Sequence, residues 1–388
     1  MISNDTRLHV VDALRGFAIV SILLLHNLEH FDFYFLPPNL PNWMITIDKG
    51  VWDSLFFIFA GKSYSIFALL FGLTFFIQSN NQKIRGNDFR GRFAWRLVVL
   101  LVFGIINSAF YQGDILTIYA IIGFFLIPFV NLRNKTILVI AIILMLQPYE
   151  WINFFKAIHS PSLKLANPLS WSYFGKMVDY IPYDSFIKTT IGNLTNGRLA
   201  VFLWSWENGR VFQTLSLFLL GLLAGRSSLF VLSDKTKLFW SKVLIISVIL
   251  FIPLFLLKSN LEGWIGNETI SRPLMTIGTS WSNLSFMLIL VSSFVLLYQT
   301  SGFHKVLNVF SSIGRMSLSN YILQSILGSF IYYGFGLGLY KYTGATYCLF
   351  IGVFLALLQG YFSSWWFKKH NQGPLETIWH KLTWIKLK

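Results

Sequence analysis

Apolar stretches follow one another along the chain with short polar connections between them. Several are about 20 residues long, enough for a helix to cross a hydrocarbon core about 30 Å thick. They are apolar on every face and lack the roughly ten-residue alternation of a spanning strand, so the pattern predicts helices rather than a barrel. The runs fall near 10–31, 52–78, 93–111, 115–130, 136–148, 211–226, 238–257, 283–299, 315–335 and 345–367. The expected fold is all-α: a polytopic bundle of about ten transmembrane helices with both termini in the cytoplasm. The first run carries Asp12 and Arg15 and has no small-residue cleavage pattern, so it reads as the first helix rather than a signal peptide.

Residues 1–388 read as a single transmembrane domain, with a long extracytoplasmic segment over 149–210. That segment is rich in Trp, Tyr and Phe, whose polar tips favour the headgroup region. Interfacial helices are the plainer expectation for it, and a lid over an acceptor the sharper one.

Composition strengthens the membrane reading. A chain that is 55% hydrophobic and 12% charged has more apolar surface than a soluble core of this size could hide. Its single cysteine, Cys348, rules out an intrachain disulfide and a thiolate metal site. The formal charge of +15 does not point to nucleic acid, because the basic residues cluster beside helix ends instead of forming one basic domain. With the amino terminus inside, 20 Lys/Arg fall on the cytoplasmic side and 10 on the other, with Lys62 inside a helix. Asp5, Asp12, Asp88, Asp234 and Glu376 are the inside acids, against 11 outside, so the whole excess lies on one face.

The candidate chemistry begins in the first helix, where DALRGFAIVSILLLHN sets Asp12, Arg15, His26 and Asn27 among apolar residues. Charged groups at bilayer depth are costly and by default suggest function. Arg15 and His26 are eleven positions apart, hence within about 20° of one helical face and about 16 Å apart along the axis. Arg15 is a permanent cation able to hold a phosphate- or thioester-bearing donor, and a neutral His26 can take a proton from an attacking hydroxyl. The structural alternative pairs Arg15 with Asp12 and bonds His26 to a neighbouring helix.

Lys62 and Ser63 occur in the middle of the second run, in GKSYSIFALLFG. Lys62 is expected either to snorkel, to pair with Asp53 or Asp114, or to contact substrate. Asp114, at the start of the fourth helix, can cap that helix or orient the His26 imidazole. Ser317, Asn320, Tyr321 and Gln324 form a polar stripe at i, i+3, i+4 and i+7, read as interhelical hydrogen bonding or as a channel lining. His26 and His30 share a face at i, i+4, but no metal is expected. The chain lacks Walker, GxSxG, HExxH and paired-cysteine patterns, which removes the usual signatures of ATP-driven pumping, serine hydrolysis and zinc proteolysis.

Both ends, RLHVVDALRGFAIVSILLLHN and SSIGRMSLSNYILQS through NQGPLETIWHKLTW, together with GDILTIYAIIG in between, resemble the YeiB-like family of bacterial membrane proteins. That family is grouped with a transmembrane acyltransferase superfamily that includes lysosomal heparan-glucosaminide acetyltransferase and bacterial envelope O-acyltransferases. The latter carry an arginine, ten intervening residues and a histidine in the first helix, a spacing that Arg15 and His26 reproduce. The resemblance implies an acyltransferase of the bacterial inner or plasma membrane. Acyl-coenzyme A is the implied donor, and a hydroxyl or amine on an envelope glycan or lipid the acceptor. His26 would be the base or transient acyl carrier, Arg15 the donor contact and Asp114 an orienting group, with Lys62, Ser63, Asn320, Tyr321 and Gln324 shaping the cleft. The rival readings are a secondary transporter or lipid flippase, whose His, Lys and Asp would form a relay, and a non-catalytic scaffold. Assembly into a homo-oligomer stays open.

Overall fold

The computed structural model describes residues 8–38, 40–160 and 167–385. Asp5 and the outermost members of the terminal basic clusters lie outside the described residues.

Among the described residues the protein is helical and has no strand. Helix α1 (His9–Leu28) is followed by α2 (Asn42–Phe59), α3 (Ser63–Ile84), α4 (Arg90–Phe110), α5 (Leu116–Phe124) and α6 (Asn134–Met145). The 149–210 region forms α7 (Pro148–His159), α8 (Leu169–Gly175), α9 (Phe186–Gly192) and α10 (Arg198–Glu207). Then come α11 (Arg210–Arg226), α12 (Asp234–Ile265), α13 (Glu268–Tyr298), α14 (Ser301–Asn308), α15 (Phe310–Arg315), α16 (Ser317–Tyr332), α17 (Ala345–Trp366) and α18 (Pro374–Thr383).

Six stretches are long and apolar enough to cross a membrane: α1, α2 with α3, α4, α12, α13 and α17. The pair α6 and α7, bent by 41°, qualifies when taken together. The expected ten spans also count α5, α11 and α16, which have 9, 17 and 16 residues. The distribution of polarity suits a lipid solvent. On α12, Ile245, Ile246 and Ile249 are 56–62% exposed, whereas Asn27, Asn107, Gln213, Gln324 and Gln359 are completely buried. Polar side chains in lipid must find partners inside the bundle, and these do. Gln324 Nε2 donates to Gln359 Oε1 at 3.1 Å, and Asn320 Nδ2 to Ser363 Oγ at 3.0 Å, which ties α16 to α17.

The second run departs from expectation. Its helix begins ten residues earlier, at Asn42, and breaks at Ala60–Lys62. Gly61 has φ +78°, a conformation only glycine adopts without strain, and a side chain there would collide with the amide of Asn283. The chain therefore stops α2 and restarts as α3 in the middle of a span.

Helices α3 and α11 lie side by side and run parallel. Tyr64 at the start of one bonds Gln213 near the start of the other, and Phe76 meets Gly225 near their ends. Close approach is possible because Gly72 and Gly221 face the Phe218 and Leu69 carbonyls, leaving no room for a Cβ. The carboxy-terminal ends of both helices reach the same basic end of the bundle. There Arg226 donates to the Val130 and Leu132 carbonyls, and Arg92 to that of Thr383.

Helix α18 is strapped to the bundle. Trp379 Nε1 donates to the Arg96 carbonyl at 3.2 Å, and the Arg96 guanidinium stacks on the Trp379 ring at 3.5 Å. Glu376 accepts from the Leu318 and Ser319 amides at 2.7 and 3.1 Å and from Ser319 Oγ at 2.6 Å, which caps α16.

Candidate functional site

At the end of the bundle away from the basic loops lies a cavity of about 610 Å³. Four of the residues singled out from the sequence line it: His26, Ser63, Asp114 and Tyr321. The last turn of α1 delivers His26, the restart of the broken helix delivers Ser63, and the segment ahead of α5 delivers Asp114. The 149–210 region closes the cavity with Trp171, Phe174 and Trp204. It is fastened there by Tyr180 Oη, which donates to Gln112 Oε1 at 2.9 Å, and by Asn193 Nδ2, which donates to the Phe110 carbonyl at 3.2 Å.

The His26 imidazole packs 4.7 Å from the Tyr111 ring and 6.4 Å from that of Tyr321, centroid to centroid. Its Nδ1 is buried and makes no hydrogen bond among the described residues. Asp114 does not orient it. The Asp114 carboxylate accepts from the Thr117 amide and hydroxyl, each at 2.8 Å, and from Asn107 Nδ2 at 2.9 Å, so it caps α5.

The other four candidates lie elsewhere. Arg15 pairs with Asp12 at 3.1 Å and donates to Thr74 Oγ1 at 3.1 Å, on the basic side of His26 and outside the cavity. Lys62 pairs with neither Asp53 nor Asp114. Asp53 is taken by Lys49, and Lys62 donates to the Phe57 carbonyl at 2.8 Å with its ammonium over the Phe286 ring. Asn320 and Gln324 are spent on α17, which leaves Tyr321 as the member of the stripe that faces the cavity and accepts from the Ile115 amide.

The sequence reading passed over four other lining residues: Glu29, Asp32, Tyr111 and Arg210. Glu29 accepts from Tyr34 Oη at 3.0 Å. Burial pushes the Asp32 carboxyl up to about 7 despite its bond to Tyr111; burial also raises that of Glu29, and the Asp32 charge adds to that rise. The signal for these two was their place just after His26, in HNLEHFD, where they counted only among the acids outside. Among the described residues no group of three or more His, Cys, Asp or Glu is arranged to hold a metal ion. His30, expected on the face of His26, lies past the end of α1 with φ 46° and has Nε2 against the Thr343 carbonyl and hydroxyl at 3.0 Å. A larger and more open groove, about 1090 Å³ between α7 and the start of α13, contains none of the residues singled out.

An all-helical membrane bundle that encloses an imidazole, carboxyls and a guanidinium near one end is the class of protein these features define. Residues 224–386 match the family model described as "Protein of unknown function (DUF418)". Along nearly its whole length the chain is similar to "Uncharacterized protein YxaH" of Bacillus subtilis (strain 168), 28% identical over 98% of this chain and 95% of the relative. It is likewise similar to "Uncharacterized protein YeiB" of Escherichia coli (strain K12), 26% identical over 96% and 95%. The similarity to YeiB thus runs through the amino- and carboxy-terminal stretches that carried the resemblance in the sequence. Of the cavity residues named here, only Tyr321 falls within the matched carboxy-terminal region.

Proposed function

We propose that this protein is an acyltransferase of a bacterial inner or plasma membrane, moving a small acyl group from acyl-coenzyme A to a hydroxyl on an envelope glycan or lipid. The observation that carries the reading is His26. It lines the cavity, its buried Nδ1 has no hydrogen-bond partner among the described residues, and it stands at the spacing from Arg15 that the bacterial O-acyltransferases share. In the reaction the acceptor hydroxyl gives its proton to the imidazole while its oxygen attacks the thioester carbonyl carbon. The carbon–sulfur bond breaks, and the coenzyme A thiolate leaves with a proton returned from the imidazolium. Tyr111 and Tyr321 hold the ring, and the 149–210 region keeps bulk water away. Arg15 serves the donor nearer the basic end, which in this reading faces the cytoplasm.

A second reading, secondary transport or lipid flipping, is favoured by one feature: the break at Gly61 opens onto a cavity with titratable side chains, as discontinuous helices do in transporters.

The two readings separate in one experiment. Membrane vesicles carrying the protein are given acetyl-coenzyme A labelled in the acetyl group, and envelope glycan and lipid fractions are counted. Donor-dependent labelling that His26→Ala lowers at least about 100-fold, with unchanged thermal melting, supports the acyltransferase. Gradient-dependent uptake with no transfer of label would replace it with the transporter.

A further inference from the structure

Three features converge on one wall of the cavity. The first is the restart of the broken helix. Helix α3 has 22 residues, no side chain caps its amino terminus, and Gly61, Ser63 and Tyr64 at that terminus line the cavity, so uncapped amides and the positive end of the dipole lie beside it. By contrast, the α5 terminus on the same cavity is closed by the Asp114 carboxylate. The second is Ser63, the first residue of α3. It is 1% exposed, it lines the cavity, and its Oγ has no hydrogen-bond partner among the described residues. A buried hydroxyl left unsatisfied in this way is uncommon and calls for a missing partner. The third is Arg210, the first residue of α11. Its Nη1 bonds Tyr64 and Gln213, while its Nε is buried and unpartnered. Because α3 and α11 run parallel, two helix amino termini and one guanidinium address the same space. Amides at a helix start, a hydroxyl and an arginine are a donor set matched to a phosphate oxyanion.

We infer that Ser63, the amino terminus of α3 and Arg210 bind the phosphate group of a hydroxylated acceptor, a glycosyl phosphate. This deepens the acyltransferase reading and rests on it only for the word acceptor. The carboxyls of Glu29, Asp32 and Asp114 line the same cavity and disfavour an anion beside them. They belong to the end of α1 and the start of α5, whereas the donors belong to α3 and α11. A ligand carrying both a phosphate and sugar hydroxyls satisfies both groups of residues, with the hydroxyls toward His26. A purely anionic ligand leaves the carboxyls unmatched.

The test measures binding to the full chain in detergent with four probes: inorganic phosphate, a hexose 1-phosphate, a polyprenyl-linked glycosyl phosphate and acetyl-coenzyme A. The two glycosyl phosphates separate a soluble source from a lipid one. Acetyl-coenzyme A reports whether the phosphate site serves the donor instead. The expected result is saturable binding of a glycosyl phosphate that Ser63→Ala weakens several-fold and Arg210→Gln at least about tenfold. Ser63→Ala removes one unpaired hydroxyl, so it keeps the test open if Arg210→Gln fails to fold. Binding of either glycosyl phosphate unaffected by Ser63→Ala in folded protein, or no binding of either, overturns the inference, as does a loss confined to acetyl-coenzyme A. Failure of labelled acetyl transfer with the phosphate site intact would sink the acyltransferase reading and leave this site standing.

Discussion

Three consecutive residues that are not glycine, His30, Phe31 and Asp32, hold φ of 46°, 56° and 67°. Each such residue costs about 1–3 kcal/mol and persists only where its surroundings enforce it. Here they do: His30 is bonded to Thr343, and the Phe31 carbonyl accepts from Tyr333 Oη at 2.7 Å while its ring is completely buried. The turn swings Asp32 back beside Glu29 and into the cavity. A carboxyl held near 7 in the folded chain and near 4 when unfolded binds a proton between those values only when folded. Its contribution to stability is therefore complete below about pH 4 and is lost as pH rises to about 7. Asp32→Asn removes that loss. Its melting temperature is expected to exceed that of wild type by several degrees at pH 8 and to match it only below about pH 4. A difference between the two that does not change with pH would contradict the raised carboxyl. His26 was legible because its spacing from Arg15 survives as a helical repeat. Asp32 and Glu29 were not, because an acid after a helix looks like a solvated loop until the chain doubles back. Arg210 and Tyr111 gave no signal either, since what brings them to His26 is contact between distant segments.

At the scale of elements, lengths and polar faces were legible and joints were not. Apolar runs marked α1, α4, α11 and α17 closely, but periodicity has no means of showing a single left-handed glycine, so the second run read as unbroken. The polar stripe of α16 is a parallel case: read as one face, it divides between α17, which takes Asn320 and Gln324, and the cavity, which takes Tyr321. The role of α18 follows from one carboxylate. Glu376 satisfies two amides at the start of α16 that would otherwise be buried without partners. Glu376→Ala is expected to cost about 2–3 kcal/mol, the range for hydrogen bonds to a charged group plus the orphaned donors. Glu376→Gln, which keeps an acceptor, should cost less than half of that. Thermal unfolding in detergent checks the order, and equal losses for the two variants would mean that the start of α16 requires the negative charge of Glu376 and not an acceptor alone.

For the whole molecule, the proposed acyl transfer depends on direction, since a donor from one side and an acceptor on the other would require the cavity to face outward. The helices give an internal consistency: α1 rises from the basic end to His26, while α3 and α11 descend from the cavity to it, ending at Lys83 and Arg226. The asymmetry of Lys and Arg between the two ends predicts that the basic end lies inside. Cys348 is completely buried, so the native chain offers little background for labelling by a thiol reagent that does not cross membranes. In intact cells Lys188→Cys, exposed on the segment over the cavity, is expected to react, and Lys237→Cys, exposed at the start of α12, to react only after permeabilisation. The reverse pattern would put the cavity in the cytoplasm. Acyl-coenzyme A could then enter it directly, the 16 Å between Arg15 and His26 would have no part in carrying an acyl group across the bilayer, and the acceptor would have to be sought among cytoplasmic molecules.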